Sequence, residues 1–175
     1  LFRSFADEAG IRSDYHSGTT WAPKGETPVV STTGARFSVN MISAVSPRGD
    51  FRFMVVEGGV NSIVFVDFLK RLMTGSKKKI FLIVDGYPAH KSKKAKQFIA
   101  DQNGTLELFY LPPYSPELNP DELAWNTLKN GIVGRSVVRS KEELKSKVVS
   151  GLRKIQKSPE MVRSFFQHEK TKYAA

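Results

Sequence analysis

The stretch 109–125, FYLPPYSPELNPDELAW, constrains the fold of this chain more than any other part of the sequence. It begins with the apolar end of a short strand pattern. Its four prolines stiffen the connection that follows, because each fixes φ and lacks a backbone N–H. Asn119 is a favoured helix cap, and Pro120 suits the first helical position. The stretch therefore predicts a strand, a rigid turn and a helix whose first turn carries the adjacent carboxylates of Asp121 and Glu122.

Glu122 has two possible roles at this helix start. A glutamate at the third helical position can accept a hydrogen bond from the backbone N–H of the capping residue, with Leu118 and Leu123 as the accompanying hydrophobic staple. Alternatively, it is a functional acid. At about 100° per residue, Glu122 lies on the rim of the apolar stripe of the helix and Asp121 nearer its centre. Helical geometry therefore does not decide which of the two carboxylates faces the sheet.

Two further acids follow predicted strands. Asp85 comes directly after 80–84, IFLIV, a continuous apolar run typical of a central strand covered on both faces. The carboxyl edge of such a strand is where α/β folds place ligands, although Asp85-Gly86 is also a strong turn signal. Asp7 has the same ambiguity, since it follows a short predicted strand at 1–6 that DEAG, at 7–10, is predicted to break.

The order of the elements predicts the fold class. Residues 37–45 and 51–55 alternate around a turn at 46–50, which indicates a β-hairpin that the strand at 1–6 extends into a meander. Helices and strands then alternate at 62–73 (capped by Ser62), 80–84, 88–103 and 106–110, followed by helices at 120–132, 140–155 and from 159. This order predicts an α/β, ribonuclease-H-like fold, a mixed five-stranded sheet of three antiparallel and then parallel strands flanked by helices. In that topology the first and fourth strands are neighbours, so residues at their ends can meet.

The balance of charge favours a polyanionic partner. The net charge is +10 and the pI about 9.8, with four lysines between 91 and 96, so nucleic acid is favoured over a generically basic protein. Phosphate contacts are accordingly predicted for Lys24, Lys91 and Lys93 from charge alone. The sequence contains no run of about 18 apolar residues, so it predicts no membrane span. It also contains no cysteine, which excludes thiolate metal sites.

Separated carboxylates of this kind suit phosphodiester chemistry. Two divalent ions about 3.5–4 Å apart can activate the attacking oxygen, stabilise the leaving oxygen and neutralise the phosphate. Hard ions such as Mg²⁺ prefer oxygen ligands and keep several waters, so a few Asp or Glu residues suffice. The sequence has no HExxH motif or histidine cluster that would indicate zinc. His90 is predicted to start a helix or support a ligand rather than to bind metal.

Four segments of the sequence carry a resemblance to a known family. They are ADEAG, WAPKGETPVV, FLIVDGYPAHKSKKAK and FYLPPYSPELNPDELAWNTLK. The chain resembles the catalytic domain of bacterial insertion-sequence transposases related to the mariner group, which carry a DDE triad on a ribonuclease-H-like fold. The segments follow the family order and span nearly the whole chain. The last segment is highly specific to this family. The other three are weaker signals alone and support the resemblance in combination.

The resemblance implies roles for the acids. Asp7, Asp85 and Glu122 would be the catalytic residues and the ligands of Mg²⁺ or Mn²⁺, with two ions expected. The 36 residues between the second and third acids, 86 to 121, are close to the spacing typical of the group. Two positions depart from the family pattern: Asp121 replaces the usual apolar residue, and Gly86 replaces the Asn that usually follows the second acid. Neither departure removes a carboxylate of the triad.

The resemblance also implies an activity and partners. Residues 1–175 are expected to form one DDE catalytic domain, without the helix-turn-helix units that normally precede it. The expected reaction is metal-dependent cleavage of DNA strands and their transfer to a target, by a homodimer on paired transposon ends in the bacterial cytoplasm. Two alternatives stay open. One is a catalytically inactive or recruited DNA-binding domain of the same fold, and the other is a different ribonuclease-H-like nuclease.

Overall fold

Five strands form one mixed sheet at the centre of the protein. The computed structural model describes residues 2–13, 23–26, 36–76, 78–133 and 138–175, and the side chains of 132 and 133 are not among the features described. The strands are β1 (Phe2–Arg12), β2 (Ser38–Val45), β3 (Phe51–Val56), β4 (Ile80–Val84) and β5 (Leu106–Tyr110). Their order in the sheet is β3-β2-β1-β4-β5. The first three are antiparallel and the last two run parallel to β1, which confirms the predicted fold class.

Helices cover both faces of the sheet. They are α1 (Ser62–Met73), α2 (Lys93–Ala100), α3 (Pro120–Asn126), α4 (Lys141–Gln156) and α5 (Pro159–Ser164). Two apolar cores result, one under α1 and α2 and the other under α3, α4 and α5. Trp125, buried in the second core, is the core residue that the apolar stripe of the third helix predicted. Each core removes large apolar side chains from water on one face of the sheet, which is the main stabilising contribution.

The prediction that residues 7–10 break the first strand is wrong. β1 continues to Arg12 because Phe5–Arg12 pair antiparallel with β2 over its whole length. The glycine that signalled a break, Gly10, lies in the strand opposite Asn40, where an added Cβ would come within 2.8 Å of Oδ1 of Asn40. A larger residue there would have to displace the Asn40 side chain, so this glycine reflects close packing within the strand rather than a turn.

Three predicted helices differ at their ends. Asn61, not Ser62, caps α1, because its side chain accepts hydrogen bonds from the N–H groups of residues 63 and 64. The helix predicted at 88–103 is shortened to α2, since Ser92 caps it and residues 88–92 form turns. The helix predicted at 120–132 is α-helical only to Asn126, and a π-helical segment, Thr127–Val133, continues it.

The structure also bears on membrane insertion. Within the described ranges, none of the helices combines the length and apolar character that crossing a bilayer requires.

Candidate active site

The pairing of β1 with β4 brings two predicted acids together. The strands run parallel, with Phe5 beside Ile83. Asp7 lies two residues beyond Phe5, and Asp85 lies two residues beyond Ile83. The same register therefore places the two acids side by side where β4 ends. Asp7 therefore lies inside a strand that outlasts its neighbour, not after a strand end, and it is buried. Its Oδ1 atom accepts a hydrogen bond from the backbone N–H of Glu8 at 2.9 Å.

The cap of α3 fixes the third acid against the same strand. As predicted, Asn119 caps the helix, because its side-chain oxygen accepts a hydrogen bond from the N–H of Asp121 at 3.1 Å. Its side-chain nitrogen donates to the carbonyl oxygen of Ala6, 3.4 Å away. One buried amide thus joins the first turn of α3 to the residue that precedes Asp7 in β1. This link sets the position of Glu122 relative to the sheet.

Asp7, Asp85 and Glu122, hereafter the acidic triad, line a single cavity of about 400 Å³. One wall is the proline-rich turn at 111–116, and Lys91 contributes a positive charge. The structure thus brings together three acids that are far apart in the sequence. Asp121 is not among the residues that line the cavity. Of the two adjacent carboxylates, Glu122 reaches the cavity, which helical geometry alone had not decided.

Asp7 lies in an environment that disfavours its charged form. Burial raises the pKa of Asp7 to about 8, and the nearby carboxylates of Glu122, Glu8 and Asp85 add to the shift. A buried carboxyl with such a pKa is stabilised when a cation stays close enough to favour its charged form. The donor atoms are all carboxylate oxygens, which are the ligands that hard divalent ions prefer. The acidic triad therefore fits a divalent metal ion.

Asp121, unlike its neighbour Glu122, lies in the protein interior. Its side chain is fully buried, and its two oxygens lie 2.8 and 2.7 Å from the hydroxyl of Ser43 on β2. Burial, together with the charge of Asp7, raises the pKa of the Asp121 carboxyl well above its ordinary value. Ser43 provides a polar partner for this buried carboxyl, and the backbone N–H of Asp7 provides another.

His90 links two acids at the edge of the cavity. Its ring is buried and packs against Phe65 of α1, with ring centroids 4.4 Å apart. Nδ1 lies 3.0 Å from Oδ1 of Asp85, and Nε2 lies 3.2 Å from Oε2 of Glu8. Burial alone would lower the pKa of His90, but its contacts with Asp85 and Glu8 outweigh burial and raise the pKa to about 9.

Glu8, Asp85 and His90 form a cluster at the edge of the cavity. Their ligand atoms all lie within 4.8 Å of one another, a spacing that would suit a metal. In the metal-free protein, however, the raised pKa of His90 favours the protonated ring, whose nitrogens donate rather than act as ligands. The arrangement instead holds the carboxylate of Asp85, which also accepts a hydrogen bond from the N–H of Tyr87 at 3.0 Å. His90 thus supports an acid of the triad.

Sequence reasoning missed Glu8 as part of this site. In a β-strand successive side chains point to opposite faces, so Glu8 faces away from Asp7 and toward α1, where His90 packs. The available signal was an acidic residue directly beside the first acid of the triad. It could be interpreted only once residues 7–10 were known to be in a strand.

The three predicted phosphate-binding lysines are placed differently. Lys91 lines the cavity, with Nζ 5.3 Å from the centre of the Tyr110 ring. A Cβ at Gly86 would lie 3.1 Å from this Nζ, so glycine at position 86 leaves room for the ammonium group. Lys93 is exposed on the first turn of α2, and Lys24 is exposed in a turn at 23–26. Neither of these two lines the cavity.

A five-stranded mixed sheet with acids gathered where its central strands end is typical of ribonuclease-H-like proteins that process nucleic acid phosphodiesters. Residues 3–145 match the family described as DDE superfamily endonuclease, and the chain belongs to that family. This match confirms the resemblance that the sequence motifs indicated.

Individual relatives agree with this assignment. The insertion element IS630 uncharacterized 39 kDa protein of Shigella sonnei is 30% identical over 147 residues, which cover 82% of this chain and 42% of that protein. The chain therefore spans less than half the length of this curated relative.

Solved structures show the same fold. The mariner Mos1 paired end complex with Mg aligns with a TM-score of 0.65 at 15% identity, covering 93% of this chain and 55% of that one. The catalytic domain of Mos1 mariner transposase aligns with a TM-score of 0.57 at 13% identity, covering 93% and 80%. At this level of identity the similarity establishes the fold alone.

Proposed function

We propose that this chain is the catalytic domain of a DDE transposase, which cleaves DNA strands and transfers them to a new site. The observation that carries the proposal is the convergence of Asp7, Asp85 and Glu122 on one cavity, in a chain that belongs to the DDE endonuclease family. The net charge of +10 supports a DNA partner. The domain would comprise residues 1–175, and the catalytic residues would be the acidic triad.

The acidic triad would hold Mg²⁺ or Mn²⁺, with two ions expected. Structures of the Mos1 paired end complex with Mg and with Mn support this choice. When bound, such ions stabilise charge on a phosphodiester and lower the pKa of an attacking water or hydroxyl. The contribution of the chain is to keep several carboxylates close together despite their mutual repulsion. It does so by holding Asp7 in a buried strand and by joining the start of α3 to that strand through the buried side chain of Asn119.

The remaining residues position the acids and the DNA. The backbone N–H of Glu8 holds Asp7, while His90 and the N–H of Tyr87 hold Asp85, so neither carboxylate rotates freely. Lys91 places an ammonium group at the cavity, where it would contact a phosphate oxygen of the strand to be cut. The proline-rich wall keeps its shape as DNA enters, because prolines restrict the backbone.

The partners follow from the same proposal. The DNA would comprise transposon ends and a target, and the active complex would contain two copies of the chain, as the paired-end complexes of Mos1 suggest. The relative from Shigella sonnei supports an origin in a bacterial insertion element. The chain would then act on chromosomal DNA in the cytoplasm. Lys24 and Lys93 would contact DNA outside the cavity.

The test is metal-dependent nicking of a supercoiled plasmid in Mn²⁺ by the 175-residue chain. We expect nicking by the native sequence and its loss in Glu122→Gln, because the amide cannot replace a charged ligand. The matched control is Glu160→Gln, an exposed position in the first turn of α5. Nicking retained in Glu122→Gln would overturn the assignment of the third acid. DNA binding without Mn²⁺ binding would favour an inactive domain, and preferred cleavage of RNA–DNA hybrids or branched DNA would favour another nuclease.

A further inference from the structure

Tyr114 is the most exposed large apolar side chain in the described parts of the chain. Its relative exposure is 102%, so the ring has no packing partner among the described residues. Its φ angle is +55°, in the left-handed region that side chains other than glycine rarely adopt. Asn103 is the other described non-glycine residue with a positive φ, and asparagine is well tolerated there. An aromatic residue at such a position is unusual.

The backbone around Tyr114 is held in this conformation from both sides. Pro112 and Pro113 precede it and Pro116 follows two residues later, which fixes φ at three of the five positions 112–116. The hydroxyl of Ser115 donates a hydrogen bond to the carbonyl oxygen of Pro113 at 3.2 Å and closes the turn around Tyr114. The turn therefore holds the backbone in a conformation from which the ring projects into solvent.

The ring stands at the acidic cavity. Tyr114 lines the same cavity as the acidic triad and Lys91. A DNA strand whose phosphate lay at these charges would run past the proline-rich turn, with a base adjacent to that phosphate within reach of the ring. The charges of the cavity bind a phosphate backbone and carry no sequence information, whereas an exposed aromatic face is suited to the flat surface of a base.

We propose that Tyr114 is a stacking platform for an unpaired nucleobase of the strand that enters the acidic cavity. The proposal rests on the proposed function, since it requires DNA at this site. The base must be unpaired, because in a continuous duplex both of its faces are covered by its neighbours. Every base has such a face, so the contact tolerates any sequence. Because the backbone of the turn is already restrained, only rotation of the side chain is lost when the base arrives.

The test compares two fluorescein-labelled DNA probes of equal duplex length, one blunt and one with a short single-stranded 3′ overhang. Binding by the 175-residue chain is measured in Ca²⁺. For Tyr114→Ala we expect affinity for the overhang probe to fall by about tenfold or more and affinity for the blunt probe by less than about twofold. Tyr114→Phe and Tyr114→Trp should retain binding. Tyr114→Gly should behave like alanine, because it relieves the backbone but lacks the ring. Ile63→Ala, which removes another exposed apolar side chain, is the control.

A spectroscopic measurement reports stacking directly. With 2-aminopurine at the first unpaired position, the native chain should quench its fluorescence and Tyr114→Ala should not. Unchanged quenching and affinity in Tyr114→Ala, or equal losses on both probes, overturn the stacking role. If the native chain also nicks plasmid in Mn²⁺, the proposed function survives that result. A native chain that neither binds nor nicks DNA overturns both proposals.

Discussion

The carboxyl group of Asp121 lies fully buried against the hydroxyl of Ser43, 2.7–2.8 Å from both of its oxygens. This contact joins the first turn of α3 to β2, while Asn119 joins the same turn to β1. Glu122 follows directly, so two neighbouring strands determine where the third acid of the triad stands. The hydroxyl compensates for placing a carboxyl in the protein interior.

Ser43→Ala should therefore destabilise the protein by roughly 1–3 kcal/mol, because it removes the side-chain hydrogen bond of a buried carboxyl, which then keeps the backbone N–H of Asp7 as a partner. Replacing both groups by apolar ones can be nearly neutral, so we expect Ser43→Ala combined with Asp121→Leu to recover much of this loss. Urea denaturation of the native chain, both single variants and the double variant measures the coupling. Strictly additive losses in free energy of unfolding would show that the two side chains do not depend on each other.

The stability of the metal-free protein should fall as the pH rises from about 4 to about 8. Burial and the charges of Glu122 and Glu8 raise the pKa of Asp7 from 3.8 to about 8. Between these values the folded state holds a proton that the unfolded state has released, so raising the pH favours unfolding. His90, with its pKa raised from 6.5 to about 9, acts in the same direction between those values.

Asp7→Asn isolates the contribution of Asp7 to this pH dependence. The variant cannot ionise at position 7, so its free energy of unfolding should depend less steeply on pH between about 4 and about 8 than that of the native chain. Asp67→Asn, which alters an exposed carboxylate paired with Arg71, should retain the native slope. Urea denaturation at several pH values, with chelator present, provides the comparison. The same slope in Asp7→Asn and the native chain would contradict the prediction.

His90 should influence metal binding although it is not expected to be a ligand. We expect His90→Gln to reduce Mn²⁺-dependent nicking about 10- to 100-fold, because residues that orient metal ligands typically contribute that much. The half-saturating Mn²⁺ concentration should rise, since Asp85 loses the contact that holds its carboxylate. His168→Gln, at an exposed position, is the matched control. Reduced nicking with an unchanged Mn²⁺ titration would assign His90 a different role.

Local patterns in the sequence predicted the sheet and its connections, because alternation and apolar runs report directly on burial. They did not predict that Asp7 lies within a strand, since the continuation of β1 depends on β2, some 30 residues away. The burial of Asp121 could not be predicted from local patterns either, because it depends on the distant residue Ser43. The motif resemblance singled out Glu122, which the helical pattern had left undecided. Contacts between distant residues, such as Glu8 with His90, needed the structure.

Among the lysines predicted to contact DNA, Lys91 should matter most for binding at the acidic cavity. Its ammonium group lines the cavity and lies over the Tyr110 ring, whereas Lys93 is exposed on α2 outside the cavity lining. A lysine that neutralises one phosphate releases about one counterion, so Lys91→Ala should reduce the slope of log affinity against log salt by about 1. Fluorescence anisotropy with labelled duplex DNA over a range of salt concentrations measures that slope. Lys154→Ala, an exposed position near the end of α4, should leave the slope unchanged. A larger effect in Lys93→Ala than in Lys91→Ala would place the DNA backbone along α2 instead of at the cavity.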